Sequence, residues 1–215
     1  MNGPTGNYGV TVPTEDGFTA DINVSIRKPV VSMTAEDFML TKETAAALTG
    51  EAAAKDYAKV GVTREGTTVA DPFDKITANP DDLAKLVAGN SGTIGFTYRN
   101  GKYETGSATA KATVVDVQYS ETKGTDRITI GADNVTLDYK DISSLTEDEL
   151  KDLIRKNADP AATDNGALAD PSDITGPKLV KDGDGYKATF TYKDVPVTTD
   201  VVISNVPAQG EVNAS

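Results

Sequence analysis

The sequence predicts a mainly β protein built from two β-sandwich repeats, each with a short helix in one crossover and therefore α+β in detail. Three observations predict this fold class. Apolar residues alternate with polar ones along several segments rich in Thr and Val, as in half-buried antiparallel strands. One short segment in each half has helical apolar spacing instead. The same blocks of sequence also recur, in the same order, in both halves of the chain.

The repeat rests on five pairs of matching blocks. The pairs are 35–40 with 132–137, 48–51 with 145–148, 70–77 with 169–175, 85–87 with 178–180, and 96–98 with 190–192. We therefore expect two copies of one unit, at 29–119 and 126–206, followed by a tail at 207–215. The polar segment 120–126 is expected to be a short connector, and its length favours a semi-rigid rod.

The N-terminal residues 1–28 resemble the end of a further copy. Residues 6–12 are similar to 185–190, and residues 19–26 are similar to 198–205. We expect them to form the closing β-hairpin of a preceding, incomplete repeat. An isolated hairpin is barely stable, so this one is expected to pack on the first repeat or to stay marginal. The N-terminus lacks the layout of a signal peptide, and we expect the chain to be a fragment of a longer protein.

Helix starts are predicted from capping residues. Thr146 precedes a run of acids, Glu149 follows three residues later, and 147–156 carries one apolar face with bases at its end. This pattern predicts a helix of about three turns. In the first repeat, 51–58 has the same place with a weaker apolar stripe. Asn79 followed by Pro80 predicts another helix start.

Composition excludes most kinds of catalysis. The 215 residues contain no His and no Cys, so the chain lacks the side chains of a Ser-His-Asp or Cys-His nucleophile, a thiol redox centre or an ordinary zinc site. The net charge of −12 argues against a nucleic-acid partner, and no apolar window is long enough for direct membrane insertion. We therefore expect a protein that is not an enzyme.

Carboxylates are the abundant reactive groups, and two pairs recur. Asp71 with Asp74, and Asp170 with Asp173, have the side chains of a glycosidase dyad. The alternative is that Ala-Asp-Pro begins a turn, in which Asp accepts hydrogen bonds from nearby backbone N–H groups. The recurrence in both repeats favours the turn.

Calcium is the only cofactor that the sequence suggests, and the suggestion is weak. Asp182 and Asp184 alternate with glycines as in the start of a calcium loop, but the later Glu of an EF-hand is absent. Asp-Gly is also a strong hairpin signal, and the hairpin is favoured. Residues 164–166 are interpreted in the same way, since 64–66 of the first repeat keep the turn but lose two of the ligands.

Two further possibilities stay open. Surface proteins without Cys can be cross-linked by a Lys–Asn amide, for which Lys28 and Asn205 are the available residue types, although they fall in different repeats. Exposed tyrosines suit carbohydrate or protein recognition. The candidate tyrosines are Tyr98, Tyr103, Tyr119 and Tyr139, of which Tyr98, like Tyr192, has the register of a core residue.

The repeat resembles the tandem immunoglobulin-like repeats of Gram-positive bacterial cell-wall-anchored surface proteins. The likeness lies in the Ala-Glu/Asp-Asp/Asn strand, the Leu-Thr-x-Glu/Asp helix start and the closing strand with Phe-Thr-Tyr. It implies immunoglobulin-like sandwiches outside the cell, attached to the cell wall through other parts of the parent protein. Such repeats serve as a non-catalytic stalk, spacer or adhesin segment, here a monomeric rod. The alternative is a module that binds host glycan or matrix protein through its loops or a sandwich face.

Overall fold

The chain is mainly β, as predicted, and its strands form five sheets in the described part. The computed structural model describes residues 6–13, 15–17, 19–102 and 104–207. The strands of the first half are β1 (Gly6–Pro13), β2 (Thr19–Ile26), β3 (Val31–Thr34), β4 (Phe38–Thr41), β5 (Gly61–Arg64), β6 (Thr67–Thr68), β7 (Ile76–Ala78), β8 (Gly92–Asn100) and β9 (Glu104–Val115). Those of the second half are β10 (Val117–Lys123), β11 (Asp126–Ala132), β12 (Val135–Asp138), β13 (Ala161–Asp164), β14 (Ala167–Leu168), β15 (Thr175–Asp182), β16 (Gly185–Tyr192) and β17 (Val195–Ser204).

The helices are short. They are α1 (Lys42–Ala46), α2 (Gly50–Ala52), a π-helix at Ala53–Tyr57, α3 (Pro80–Val87), α4 (Tyr139–Ile142) and α5 (Glu147–Ala158), with 3₁₀ turns at Phe73–Lys75 and Pro171–Asp173. Within the described ranges, none has both the length and the apolar composition to cross a membrane.

The capping predictions are confirmed. The side chain of Thr146 accepts a hydrogen bond from the backbone N–H of Glu149, whose carboxylate accepts one from the N–H of Thr146, so α5 begins with a complete capping box. Asn79 caps α3, with Pro80 at its first position. The helix predicted at 51–58 is only partly α-helical, because its second half is wound as the π-helix.

The strands from β3 onwards form two sets with the same pairing. We call β3 to β9 the first unit and β10 to β17 the second unit. The first unit has the sheets β3-β5-β6 and β4-β9-β8-β7, and the second has β10-β11-β13-β14 and β12-β17-β16-β15. In both units the strand that precedes the helices pairs in parallel with the last strand, β4 with β9 and β12 with β17. The second unit differs by the added edge strand β10.

Each unit buries one apolar core. In the second unit, Ile130 from one sheet, Phe190 from the other and Ile154 from α5 are all fully buried in the same cluster. In the first unit, Leu40 and Phe96 of the sheet β4-β9-β8-β7 and Leu86 of α3 are buried together in one cluster. The alternation of apolar and polar residues along β16 was predicted, and every second side chain there does face the core.

The N-terminal hairpin is present and largely exposed. β1 and β2 form an antiparallel pair, as expected, and belong to a two-stranded sheet of their own. The apolar side chains of Val10, Ile22 and Val24 are 43%, 49% and 39% exposed. Of the two expected outcomes, packing on the first repeat or a marginal hairpin, this exposure favours the second.

The predicted connector at 120–126 is wrong. Residues 117–123 form β10, which pairs with β11 from Val117 opposite Ala132 to Lys123 opposite Asp126. The polar segment is therefore the tip of a β-hairpin in the second unit. Asp116 alone separates β9 from β10, so the units follow each other without a linker.

Candidate functional site: the junction between the two units

The two units meet where β4 of the first lies against β10, β11 and β13 of the second. Met39 of β4 is 5% exposed. Its side chain packs on Gly131 of β11 so closely that a Cβ atom added to Gly131 would lie 2.4 Å from the Met39 sulfur. The same Cβ would lie 2.8 Å from a methyl carbon of Val115 and 3.0 Å from the carbonyl oxygen of Val117. Glycine at 131 therefore lets the two units approach.

Asp37 ties the units together by hydrogen bonds. Its backbone N–H donates to the carbonyl oxygen of Gly166 at 2.7 Å. One oxygen of its carboxylate accepts from the N–H of Leu168 in the second unit, at 3.3 Å. The other accepts from the N–H of Lys111 in its own unit, at 2.7 Å. One side chain thus fixes both sides of the junction.

An ion pair lies beside Asp37. Arg127 donates to both carboxylate oxygens of Glu36, at 2.9 and 3.1 Å. Glu36 also packs on Gly166, where an added Cβ would lie 2.5 Å from the Cβ of Glu36. Gly166 has φ of +81°, which L side chains rarely adopt. The turn at 165–166 is therefore shaped to receive the first unit.

A charged cluster closes the other end of the junction. The Lys42 ammonium lies 2.9 Å from Asp116 and 3.3 Å from Asp133. The hydrogen bond that Lys42 donates to Asp116, together with the one to Asp133, raises the pKa of Lys42 above its usual value. Burial raises the pKa of Asp116, but hydrogen bonds from Lys42 and from the N–H of Asn134 outweigh it and leave that pKa below its usual range. Both shifts favour the charged forms of Lys42 and Asp116 near neutral pH.

A cleft of about 210 Å³ opens between the units beside this joint. One wall is made by Glu36 to Met39 and by the end of the π-helix, including Asp56 and Tyr57. The other is the outward face of the sheet of β10, β11 and β13. The cleft contains three carboxylates against two cations, so one negative charge is in excess.

The sheet side of the cleft presents a row of hydroxyl groups. Ser120 lies opposite Thr129, and Thr129 lies opposite Thr163, across three adjacent strands. The hydroxyls of Ser120 and Thr129 are 2.8 Å apart. Gln118 lies two residues before Ser120 and so on the same face. The Oε1 atom of Gln118 is buried and has no hydrogen-bond partner among the described residues.

Tyr57, which lines the cleft, is the last residue of the π-helix. Thr49 and Thr146 cap the corresponding helices of the two units. The helical segment after Thr49 ends at Tyr57 and the one after Thr146 ends at Ala158, so the first is four residues shorter. The ring centroid of Tyr57 lies 5.9 Å from that of Phe38.

The calcium candidates Asp182 and Asp184 lie in the tight hairpin between β15 and β16. Asp182 is paired with Gly185, so Gly183 and Asp184 form a two-residue loop, with Gly183 at φ of +57°. The Asp182 carboxylate lies 3.6 Å from the ammonium of Lys187. Across the described ranges, no three acidic side chains gather as a metal ion would need. The predicted hairpin is confirmed, and it lies outside the junction.

The other carboxylate candidates form turns. Asp170 accepts hydrogen bonds from the backbone N–H and the hydroxyl of Ser172 and caps the 3₁₀ turn, as the turn interpretation predicts. These two bonds, the backbone bond first, lower the pKa of Asp170. A general acid needs the opposite shift. Asp71, at φ of +44°, lies in the bend before Phe73–Lys75, but that 3₁₀ turn has Pro72 at its cap position and no side-chain cap. The predicted capping role is therefore seen at Asp170 and not at Asp71.

The remaining candidates are dispersed. Tyr98 is buried, as its register predicted, whereas Tyr119 and Tyr139 are 49% and 38% exposed. Tyr103 lies outside the described residues. Lys28 lies between β2 and β3, and Asn205, after β17, donates its side-chain N–H to Asp138 at 2.8 Å.

Sequence reasoning did not find the junction residues. Asp37, Met39 and Gly131 fall inside or next to predicted strands, where nothing in the local pattern marks a contact between units. One signal was present for Gly166, because it belongs to a predicted turn that recurs at Gly66. No protein family, curated protein or solved structure matches this chain.

Proposed function

We propose that the chain is a non-catalytic extracellular module of a bacterial surface protein, in which two immunoglobulin-like domains act as a stalk or spacer. The domains correspond to the first and second units, and the likeness of their sequences to tandem repeats of Gram-positive surface proteins motivates the assignment. A module of this kind, attached to the cell wall through the parent protein, holds the neighbouring parts of that protein at a fixed distance.

The observation that carries the proposal is the linker-free joint. A spacer needs consecutive domains in a fixed mutual orientation. Here Asp116 is the single residue between β9 and β10, and Asp37, Glu36 and Lys42 each bond to the second unit or to the connecting residue. Burial of Met39 adds apolar packing to these polar contacts. Together they favour a rigid pair of domains over two mobile ones.

Small-angle scattering tests the proposal. We expect the chain to scatter as an elongated, rigid, monomeric particle whose profile is the same at low and high salt. The matched control is a variant with a flexible Gly-Ser segment inserted after Asp116, which is expected to scatter as two mobile beads. A compact particle, or a wild-type profile that equals that of the insertion variant, would contradict the spacer role.

A further inference from the structure

We propose that the cleft between the two units binds a neutral, hydroxyl-rich ring such as a pyranose sugar. This site goes beyond the spacer role and does not depend on it. The cleft lies beside the joint, between the π-helix of the first unit and the sheet of β10, β11 and β13. Its volume of about 210 Å³ lies below the ~300–1,000 Å³ of sites for drug-sized ligands, which suits a single ring.

Gln118 carries a hydrogen-bond acceptor that lacks a donor. A buried polar atom that makes no hydrogen bond is costly, and such atoms are rare in folded proteins. The Oε1 atom of Gln118 is in this position. Because Gln118 lines the cleft, a rotation of its side chain would bring this acceptor to the cleft surface, where a ligand hydroxyl would donate the missing hydrogen bond.

The sheet side of the cleft carries a row of hydroxyl groups. Ser120, Thr129 and Thr163 lie side by side across three paired strands. Hydroxyl groups both donate and accept, so a row of them matches a ring that carries several hydroxyls of its own. The rigid sheet fixes their spacing, which limits the side-chain ordering that binding would require.

The charges that line the cleft favour a neutral ligand. Arg127 is engaged by Glu36, and the Lys59 ammonium donates to the carbonyl oxygen of Asp56 at 2.7 Å. With carboxylates in excess by one, the cleft disfavours phosphate, sulfate or an acidic sugar. A metal ion is disfavoured too, since the described residues hold no group of three acidic ligands. A neutral polar ligand remains.

An aromatic residue, Tyr57, lines the cleft on the side of the first unit. A sugar ring has apolar C–H faces, and an aromatic ring with a polar tip is a suitable surface for them. Tyr57 lines the cleft and supplies such a ring, and its neighbour Phe38 also belongs to the lining. Tyr57 is the last residue of the π-helix, a kind of helix that is frequently found at functional sites. The second unit has a regular α-helix in the equivalent place.

The test is a titration of the full ¹⁵N-labelled chain with glucose, galactose, mannose and N-acetylglucosamine, followed by amide spectra. We expect at least one of these sugars to cause saturable shifts confined to the residues that line the cleft. Gln118→Leu is expected to weaken the apparent Kd about fivefold to tenfold, because the ligand loses its acceptor. Tyr57→Ala is expected to weaken it similarly.

Tyr119→Ala is the matched control. Tyr119 is an exposed tyrosine on the same strand as Gln118, but it points to the other face and does not line the cleft, so its loss should leave the Kd unchanged. If Gln118→Leu does not fold, Ser120→Ala tests the hydroxyl row in its place. The proposal is overturned if none of the four sugars shifts the cleft amides, if the variants bind as well as wild type, or if neutral tripeptides saturate the cleft and sugars do not.

Discussion

Glu65 and Asn165 hold the same position in two β-hairpin turns, each with a φ of 50°. Each side chain accepts a hydrogen bond from a backbone N–H beside its turn. Glu65 accepts from Val30, just before β3, at 2.7 Å, and Asn165 accepts from Arg127 of β11 at 2.9 Å. The two units therefore share a local interaction, in which the side chain of a turn residue forms a hydrogen bond with the backbone of the adjacent segment. The residue type differs, and this difference can be tested.

Replacing Glu65 with Asn should stabilise the first unit. Asn tolerates the left-handed conformation better than Glu does, and its shorter side chain can accept from Val30 as Asn165 does from Arg127. The ion pair of Glu65 with Arg27 is lost, but exposed pairs contribute little. We expect the melting temperature to rise by about 1–2 °C in calorimetry. The reciprocal Asn165→Glu is the control and should lower it, whereas a decrease with Glu65→Asn would show that Arg27 matters more than the backbone conformation.

Gly166→Ala should destabilise the junction specifically. The added methyl meets both the left-handed φ of +81° and the side chain of Glu36. We expect a loss of about 2–4 kcal/mol in chemical denaturation, from backbone strain and overpacking together.

Gly66→Ala is the matched control for this substitution. Gly66 has φ of +78° in the equivalent turn, and an added Cβ there meets nothing within 4 Å. Gly66→Ala should lower the free energy of unfolding by only about 1–2 kcal/mol, which is the cost of the left-handed backbone conformation for alanine. Equal losses for Gly66→Ala and Gly166→Ala would contradict the contact with Glu36.

Gly131→Ala should separate the two units at Met39. The Met39 sulfur can move, but the backbone oxygen of Val117 cannot move without shifting β10. We expect a loss of about 1–3 kcal/mol and faster amide exchange in β4 and β10. Gly92→Ala is the control, because this strand glycine has no atom within 4 Å of an added Cβ. Unchanged exchange in β4 would show that the packing does not depend on Gly131.

The stability of the junction should fall in acid. Because the folded-state pKa of Asp116 is lowered, its carboxylate contributes stability above the unfolded value of about 3.9, and this contribution is lost as pH falls through the folded pKa. Asp116→Asn should therefore be less stable than wild type at pH 7, by about 1 kcal/mol. The difference should close as the pH falls below about 4, as measured by urea unfolding across pH.

Lys42→Met removes the other partner of the ion pair with Asp116 and tests the same contact. The raised pKa of Lys42 means that its contribution is complete below about pH 10.4 and is lost at higher pH. The double variant with Asp116→Asn should cost less than the sum of the two single variants, since both remove one ion pair. Strict additivity at pH 7 would show that the pair is not coupled.

Much of the fold within each unit could be predicted because its signals are local. Thr146 and Glu149 lie in the same helical turn, so their spacing alone predicts the capping box. The alternation along β16 predicts which face of the strand is buried, because the side-chain period of a strand is two. The turns at 65–66 and 165–166 follow from Gly at the second position, where a positive φ is needed.

The junction could not be predicted because its partners are distant in sequence. Asp37 and Leu168 are 131 residues apart, and neither differs from an ordinary turn or strand residue. The π-helix was missed because 51–58 has the composition of a normal helix, and the missing turn is evident only beside the longer α5. The sequence of 120–126 predicts a connector and not the end of β10, because an edge strand with polar residues resembles a loop.

The single residue between β9 and β10 also has a consequence for the order of folding. β9 is the last strand of the first unit, and the chain continues from it through Asp116 into β10, the edge strand of the second unit. Once the first unit has formed, the start of β10 is already confined, and its pairing with β11 requires only a short hairpin closure. We therefore expect the second unit to fold faster behind a completed first unit, so that synthesis from the N-terminus assembles the pair in sequence.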